Sequence, residues 1–129
     1  MTELDHVGIA VPRLDDALAL WAPLAEAPPS APEVVPSNRV RVAFLTVGGS
    51  HVELLEPSDP TSPIARFLES RGPGIHHLAF HVPSVEAALH DVRARGGRTV
   101  DPSPRPGARG RRVGFAHPSA YGGVLVEFV

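Results

Sequence analysis

The chain contains neither cysteine nor lysine. The first absence removes thiol nucleophiles, disulfides, iron–sulfur clusters and every zinc site built on thiolate. The second removes Schiff-base chemistry and a phosphate-binding lysine of the P-loop kind. Aromatic residues are scarce, at 5% of the chain. No uninterrupted apolar run approaches the length that spans a bilayer, and the N-terminal Met1-Thr2-Glu3-Leu4-Asp5-His6 lacks the basic-then-apolar pattern of a targeting signal. A cytoplasmic protein is expected. All 12 basic side chains are arginine against 14 acidic ones, a net charge of −2, so no basic field draws in nucleic acid or an anionic membrane. His, Asp, Glu, Ser, Thr and one Tyr remain to carry chemistry. At 129 residues, 43% of them hydrophobic, the chain has room for one domain with a buried core.

The residues that are present spell one pattern twice. Leu4-Asp5-His6-Val7-Gly8-Ile9-Ala10-Val11-Pro12 aligns with Ile75-His76-His77-Leu78-Ala79-Phe80-His81-Val82-Pro83, placing His6 over His77 and Pro12 over Pro83 at an offset of 71. The same offset carries Ala17-Leu18 onto Ala88-Leu89 and Val42-Ala43-Phe44 onto Val113-Gly114-Phe115. Toward the end of each half, His51-Val52-Glu53-Leu54-Leu55 resembles Leu125-Val126-Glu127-Phe128-Val129. An internal repeat of this kind marks two copies of one supersecondary unit.

Each copy reads as strand, helix and further strands. Val7, Ile9 and Val11 alternate with His6, Gly8 and Ala10, the period of a two-faced strand. Leu14, Ala17, Leu18, Trp21 and Leu24 recur every three or four residues, one face of a helix, and Val85, Ala88, Leu89 and Val92 repeat that face. Ser84 is suited to cap the second helix and Arg13 is ill suited to cap the first. Gly96-Gly97 ends one helix and the proline-rich 27–36 stretch ends the other. Strands are expected over 40–47 and 51–55 across a Gly48-Gly49-Ser50 turn, and over 113–117 and 124–129 across a turn with Gly122-Gly123. Ser62-Pro63 opens a connecting helix, and Pro102 to Arg112 reads as a loop. The expected fold class is α+β, a single domain over 1–129 made of modules at about 1–60 and 72–129, with a connecting helix at about 62–71.

His6 and His77 fall on the first strand of each module, Glu53 and Glu127 on the last. Each glutamate has apolar neighbours on both sides along its strand, and a carboxylate there is costly to bury unless paired or bound to a cation. Two imidazoles and two carboxylates form an octahedral donor set for a divalent ion with two positions left for water or substrate. His51 shares the alternation of Glu53 and is a candidate to support the ligands from behind. His76 points to the opposite face from His77 and reads as structural. His81 reads as rim and His90 as a solvated helix residue. His117, before Pro118, lines the pocket or caps its turn.

At these residues the sequence resembles the vicinal oxygen chelate superfamily, the glyoxalase/bleomycin-resistance fold, and within it the methylmalonyl-CoA epimerases. The motifs are Asp5-His6-Val7-Gly8-Ile9-Ala10-Val11, Val52-Glu53-Leu54-Leu55-Glu56-Pro57, Ser62-Pro63-Ile64-Ala65-Arg66-Phe67-Leu68, Gly74-Ile75-His76-His77-Leu78-Ala79 and Gly123-Val124-Leu125-Val126-Glu127. The resemblance implies two βαβββ modules forming a curved, half-barrel mixed sheet around a metal site. It implies a divalent ion, Co2+ favoured over Mn2+, Ni2+, Mg2+ or Zn2+, held by His6, Glu53, His77 and Glu127. It implies interconversion of (2R)- and (2S)-methylmalonyl-CoA through loss of the C2 proton, an enolate and reprotonation on the other face, with Glu127 and Glu53 as acid/base candidates. A homodimer is also expected. Two departures from the family pattern stand out. Val42 occupies the place of a third-strand glutamate found in several members, and Ser119 replaces a lysine after the His-Pro pair, which leaves Arg105, Arg109, Arg111 and Arg112 as candidates for the phosphates of coenzyme A. Another metal-dependent isomerase of the fold, of the glyoxalase I kind acting on a glutathione hemithioacetal, and a non-catalytic binding or resistance protein are the alternatives.

Overall fold

In the computed structural model, which describes residues 2–129, the chain forms two compact units. One comprises His6–His76, the other the residues up to Asp5 together with His77–Val129.

In the first unit, β1 (Glu3–Ala10) is followed by α1 (Leu14–Trp21), β2 (Glu33–Val35), β3 (Val40–Val47), β4 (Ser50–Pro57) and α2 (Pro63–Arg71). The strands lie in the order β2-β3-β4-β1, antiparallel except for the β4–β1 pair. Register follows from the alternation of side chains. Ile9, Val11, Ala43, Leu45 and Leu54 turn to one face and pack with Leu14 and Ala17 of α1. His6, Phe44 and Glu53 are thereby left on the other face, Phe44 directly opposite Glu53. Leu14, Leu45 and Leu54 are fully buried, and truncating any of them to Ala costs about 2–5 kcal/mol.

The first helix starts without help from Arg13, whose side chain makes no capping bond. The Leu14 N–H instead donates to Glu56 Oε2 at 2.7 Å, so a carboxylate from β4 satisfies the helix N-terminus. Pro23 ends α1 early, and Ala22–Leu24 continues as a 3-10 turn. Leu24, assigned to the buried face by its spacing, is consequently 67% exposed. The proline-rich 27–36 stretch does more than end the helix: it carries β2. Ser30 ties it to β3 by donating its N–H to the Phe44 carbonyl at 2.9 Å and accepting the Phe44 N–H at 2.8 Å. A three-residue strand among prolines has too few alternations to show in sequence. At α2, Ser62 accepts the Ile64 N–H at 3.1 Å and Pro63 fills the first helical position, as the sequence implies.

In the second unit, β5 (Gly74–His81) precedes α3 (Val85–Ala94), β6 (Arg105–Pro106), β7 (Arg112–Ala116) and β8 (Val126–Phe128). Here β8 lies between β5 and β7, parallel to the first and antiparallel to the second, and β6 edges β7. Ser84 caps α3 by accepting the Ala87 N–H at 3.1 Å. Leu89 and Val92 of α3 pack on Ala116, Val126 and Phe128. Gly114 lets α3 come close, since a Cβ there would lie 2.7 Å from Leu89 Cδ1. The loop expected over 102–112 contains the two-residue strand β6 and a 3-10 turn at Ala108–Gly110. The last strand is shorter than its apolar run because Pro118–Tyr121 and the positive-φ Gly122 and Gly123 turn the chain first. Among the described residues no helix is long and apolar enough to cross a membrane.

Candidate metal centre

Each unit builds a buried histidine–glutamate pair on the face of its sheet turned away from the helix. In the first unit, β1 and β4 run parallel with Gly8 beside Glu53 and His6 beside His51. The side chains of His6 and Glu53 meet, with Nε2 of His6 3.3 Å from Oε1 of Glu53. In the second unit, β5 sets Ala79 beside Glu127, and Nε2 of His77 again lies 3.3 Å from Oε1 of Glu127. All four side chains are at most 7% exposed.

The rings are held from the side by one aromatic residue each. Phe44 meets His6 edge to face, with centroids 5.6 Å apart at 87°. Phe115 meets His77 with centroids 5.5 Å apart at 82°. Phe44 and Phe115 are equivalent in the repeat, and each lies directly opposite the glutamate of its own unit. The aligned Val42-Ala43-Phe44 and Val113-Gly114-Phe115 segments were the sequence signal for these two supports; residue type alone would have placed them in a core.

The donor chemistry suits a divalent cation. Oε1 of Glu127 is sealed from solvent, and its 3.3 Å approach to His77 Nε2 does not have hydrogen-bond geometry. A buried imidazole nitrogen and a carboxylate oxygen side by side are donor types that suit a divalent ion. One donor atom from each of His6, Glu53, His77 and Glu127 lies within 4.8 Å of the others, so this His/Glu/His/Glu group could hold a metal ion.

The remaining histidines separate as their positions suggest. His76 stacks edge to face on Phe67 of α2 at 5.0 Å, a packing role. His81 and His90 are exposed. His117 accepts the Ser119 N–H on Nδ1 at 3.1 Å and so caps the 3-10 turn that follows. His51 packs edge to face on Phe44, with its Nδ1 buried and without a hydrogen-bond partner.

The arginines of the 102–112 segment are not equivalent. Arg111 bonds Asp5 at 2.8 Å, and Arg109, at φ 58°, lies 3.8 Å from the other oxygen of Asp5. Arg105 donates from Nε to Asp101 at 2.7 Å and stands over the Phe115 ring, while Arg112 is exposed. Asp101, which the sequence reading passed over, is 8% exposed and also accepts the Phe115 N–H at 2.8 Å. A carboxylate four residues before an arginine in a Pro-rich segment was its only trace.

Residues 5–115 match the Glyoxalase/Bleomycin resistance protein/Dioxygenase superfamily, and the chain belongs to that family. Its fold is accordingly that of the vicinal oxygen chelate proteins, the α+β class expected from the repeat. Among curated relatives, the ethylmalonyl-CoA/methylmalonyl-CoA epimerase of Cereibacter sphaeroides is 40% identical over 126 residues, covering 96% of this chain and 94% of the relative. The human mitochondrial methylmalonyl-CoA epimerase is 38% identical over 125 residues, covering 96% of this chain and 71% of the relative. A solved methylmalonyl-CoA epimerase in complex with methylmalonyl-CoA and NH4+ superposes with a TM-score of 0.92 at 34% identity, covering 99% of this chain and 93% of that one.

Proposed function

We infer that this protein is a methylmalonyl-CoA epimerase, an isomerase that interconverts the 2R and 2S thioesters. The observation that carries the reading is a complete buried His/Glu/His/Glu donor group in a chain aligned over nearly its whole length with epimerases of that name.

His6, Glu53, His77 and Glu127 would hold a divalent ion, with cobalt the identity that the family resemblance favours. A bound ion would supply positive charge that offsets the negative charge developing on the substrate oxygens as the C2 proton leaves. The protein's own residues do the rest. Inversion at C2 breaks one C–H bond on one face and forms another on the opposite face, so it needs a proton acceptor and a proton donor. Glu127 is proposed to accept the C2 proton on its carboxylate. Glu53, its counterpart in the other module, returns a proton to C2, and Val42 contributes no acid/base group. The low exposure of both pairs keeps water from quenching the carbanionic state before reprotonation. Arg105, Arg109, Arg111 and Arg112 are proposed to meet the phosphates of coenzyme A, where charge-assisted bonds from guanidinium suit phosphate oxygens. The proposal extends to one functional domain over 1–129, a cytoplasmic location and a homodimer, the last checked by light scattering.

Incubation with (2R)-methylmalonyl-CoA in D2O tests the reading. Deuterium at C2 and appearance of the 2S form are expected. Turnover of a glutathione hemithioacetal with no exchange at C2 would overturn it in favour of a glyoxalase-type isomerase.

A further inference from the structure

A cavity of about 310 Å³ lies between α3 and the sheet of the second unit. Phe80 and Val82, Val126 and Phe128 of β8, and Ala88 and Val92 of α3 line it. Val126 and Phe128 alternate with Glu127 along β8 and pack with Leu89 and Val92 on the helix side. The cavity therefore opens on the opposite face of that strand from the His77–Glu127 pair and is separate from the metal centre. Its volume is at the lower end of the range of small-molecule pockets, roughly 300–1,000 Å³.

The internal repeat accounts for the open space. Phe80, Val82, Ala88 and Val92 correspond to Ile9, Val11, Ala17 and Trp21 at the offset of 71. In the first unit the Trp21 indole packs with Ile9, Val11 and Ala17 in the cluster under α1. In the second unit the same helix position carries only an isopropyl group. Helix α3 is held where it is by two close approaches to glycine. A Cβ on Gly114 of β7 would lie 2.7 Å from Leu89 Cδ1, and a Cβ on Gly97 would lie 2.8 Å from Val92 Cγ1. The helix is thus already seated on its β7 side, and the place that an indole fills in one module is left open in the other.

The lining says what would fill it. Of the seven Phe, Tyr and Trp residues in the chain, Phe80, Phe128 and Tyr121 all border this one cavity. In a chain poor in aromatics, that concentration favours a planar ring, which gains edge-to-face or offset contacts beyond the area it buries. At the rim Arg95 and Asp91 pair with each other at 3.0 Å, so their charges cancel and offer no net attraction to an ionised group. We propose that the cavity binds an uncharged aromatic small molecule of one or two fused rings, about the size of the Trp21 indole that fills the equivalent place in the first module. Binding removes the apolar lining from water as Trp21 does under α1. The inference stands apart from the epimerase reading, since it concerns the other face of the sheet.

The test is a titration of the full chain with 5-fluoroindole, followed by fluorine NMR. Saturable binding of one probe per chain is expected, with Kd on the order of 0.1–1 mM for so small a ligand. Val92→Trp, which places the indole of the first module in the second, is expected to weaken the probe at least about tenfold. Ala88→Leu fills the same space from the neighbouring turn of α3 and is expected to weaken it about fivefold or more, which keeps the test open should Val92→Trp fold poorly. Indole-3-acetate, the same ring bearing a charge, is expected to bind more weakly than indole. Absence of saturable binding, or binding that both variants leave unchanged, overturns the proposal, and tighter binding of indole-3-acetate overturns the neutral class of ligand. Binding lost only at concentrations where light scattering shows a dimer would overturn it in favour of a second copy of the chain as the occupant.

Discussion

Phe115 sets its ring edge to face against His77, with centroids 5.5 Å apart at 82°, and Phe44 stands to His6 in nearly the same relation in the other module. Aromatic pairs in this geometry contribute about 0.5–1.5 kcal/mol beyond buried area. Replacing either Phe by Leu keeps most of the volume and removes the quadrupole contact. Metal affinity, measured by competition with a chromophoric chelator, should fall about two- to tenfold in each variant. Unchanged affinity would mean that the rings are oriented by the strands alone.

Glu127→Ala removes a buried donor from the pair with His77. The purified variant should lose stoichiometric metal in elemental analysis and lose epimerase activity with it; full metal with near-normal turnover would contradict the ligand assignment. His76→Ala, one residue from His77 but stacked on Phe67, should keep both.

Chelation separates an ion-dependent isomerase from a binding module of the same fold. Dialysis against a strong chelator is expected to abolish C2 exchange in D2O, and added Co2+ to restore it. Exchange that survives chelation, with the metal shown to be gone, would refute the dependence.

Gly114 allows α3 to pack on β7, and a Cβ there would reach within 2.7 Å of Leu89. Gly114→Val should lower stability in urea by about 1–3 kcal/mol through overpacking. Leu89→Ala, which empties a fully buried site, should lower it by about 2–5 kcal/mol.

The equivalent helices of the two modules, α1 and α3, begin in different ways, and their responses to mutation should differ. Ser84→Ala deletes a cap to the Ala87 N–H and is expected to cost about 1 kcal/mol. Arg13→Ala removes no capping bond, so its midpoint in thermal unfolding should hardly move. The equivalent loss at α1 requires Glu56→Ala, because the Leu14 N–H is served from β4.

Much of the architecture was legible because it is carried by local periodicity. Strand β3, helix α2 with its Ser62-Pro63 start and the Ser84 cap all follow from neighbouring residues, and their geometry is set within a few positions of chain. Strands β2 and β6 were not legible, since three and two residues leave no pattern and edge pairing with β3 and β7 is what makes them strands. Leu24 was misplaced for a related reason: its spacing continues the α1 face, and Pro23 changes the helix before that face is reached.

The sequence by itself determined the repeat, and with it the four ligand-type residues at matched positions, because a histidine or glutamate on an alternating strand has its face decided by parity. It also determined what chemistry remained, by lacking thiols and amines. Only the tertiary structure decided how each donor meets its partner and which arginine is held by a buried carboxylate. The His–Glu approaches of 3.3 Å join strands distant in sequence, and the Asp101–Arg105–Phe115 arrangement depends on β6 pairing with β7. Such contacts depend on register and packing between elements, and the residues on either side of any one of them carry no local signature of the other.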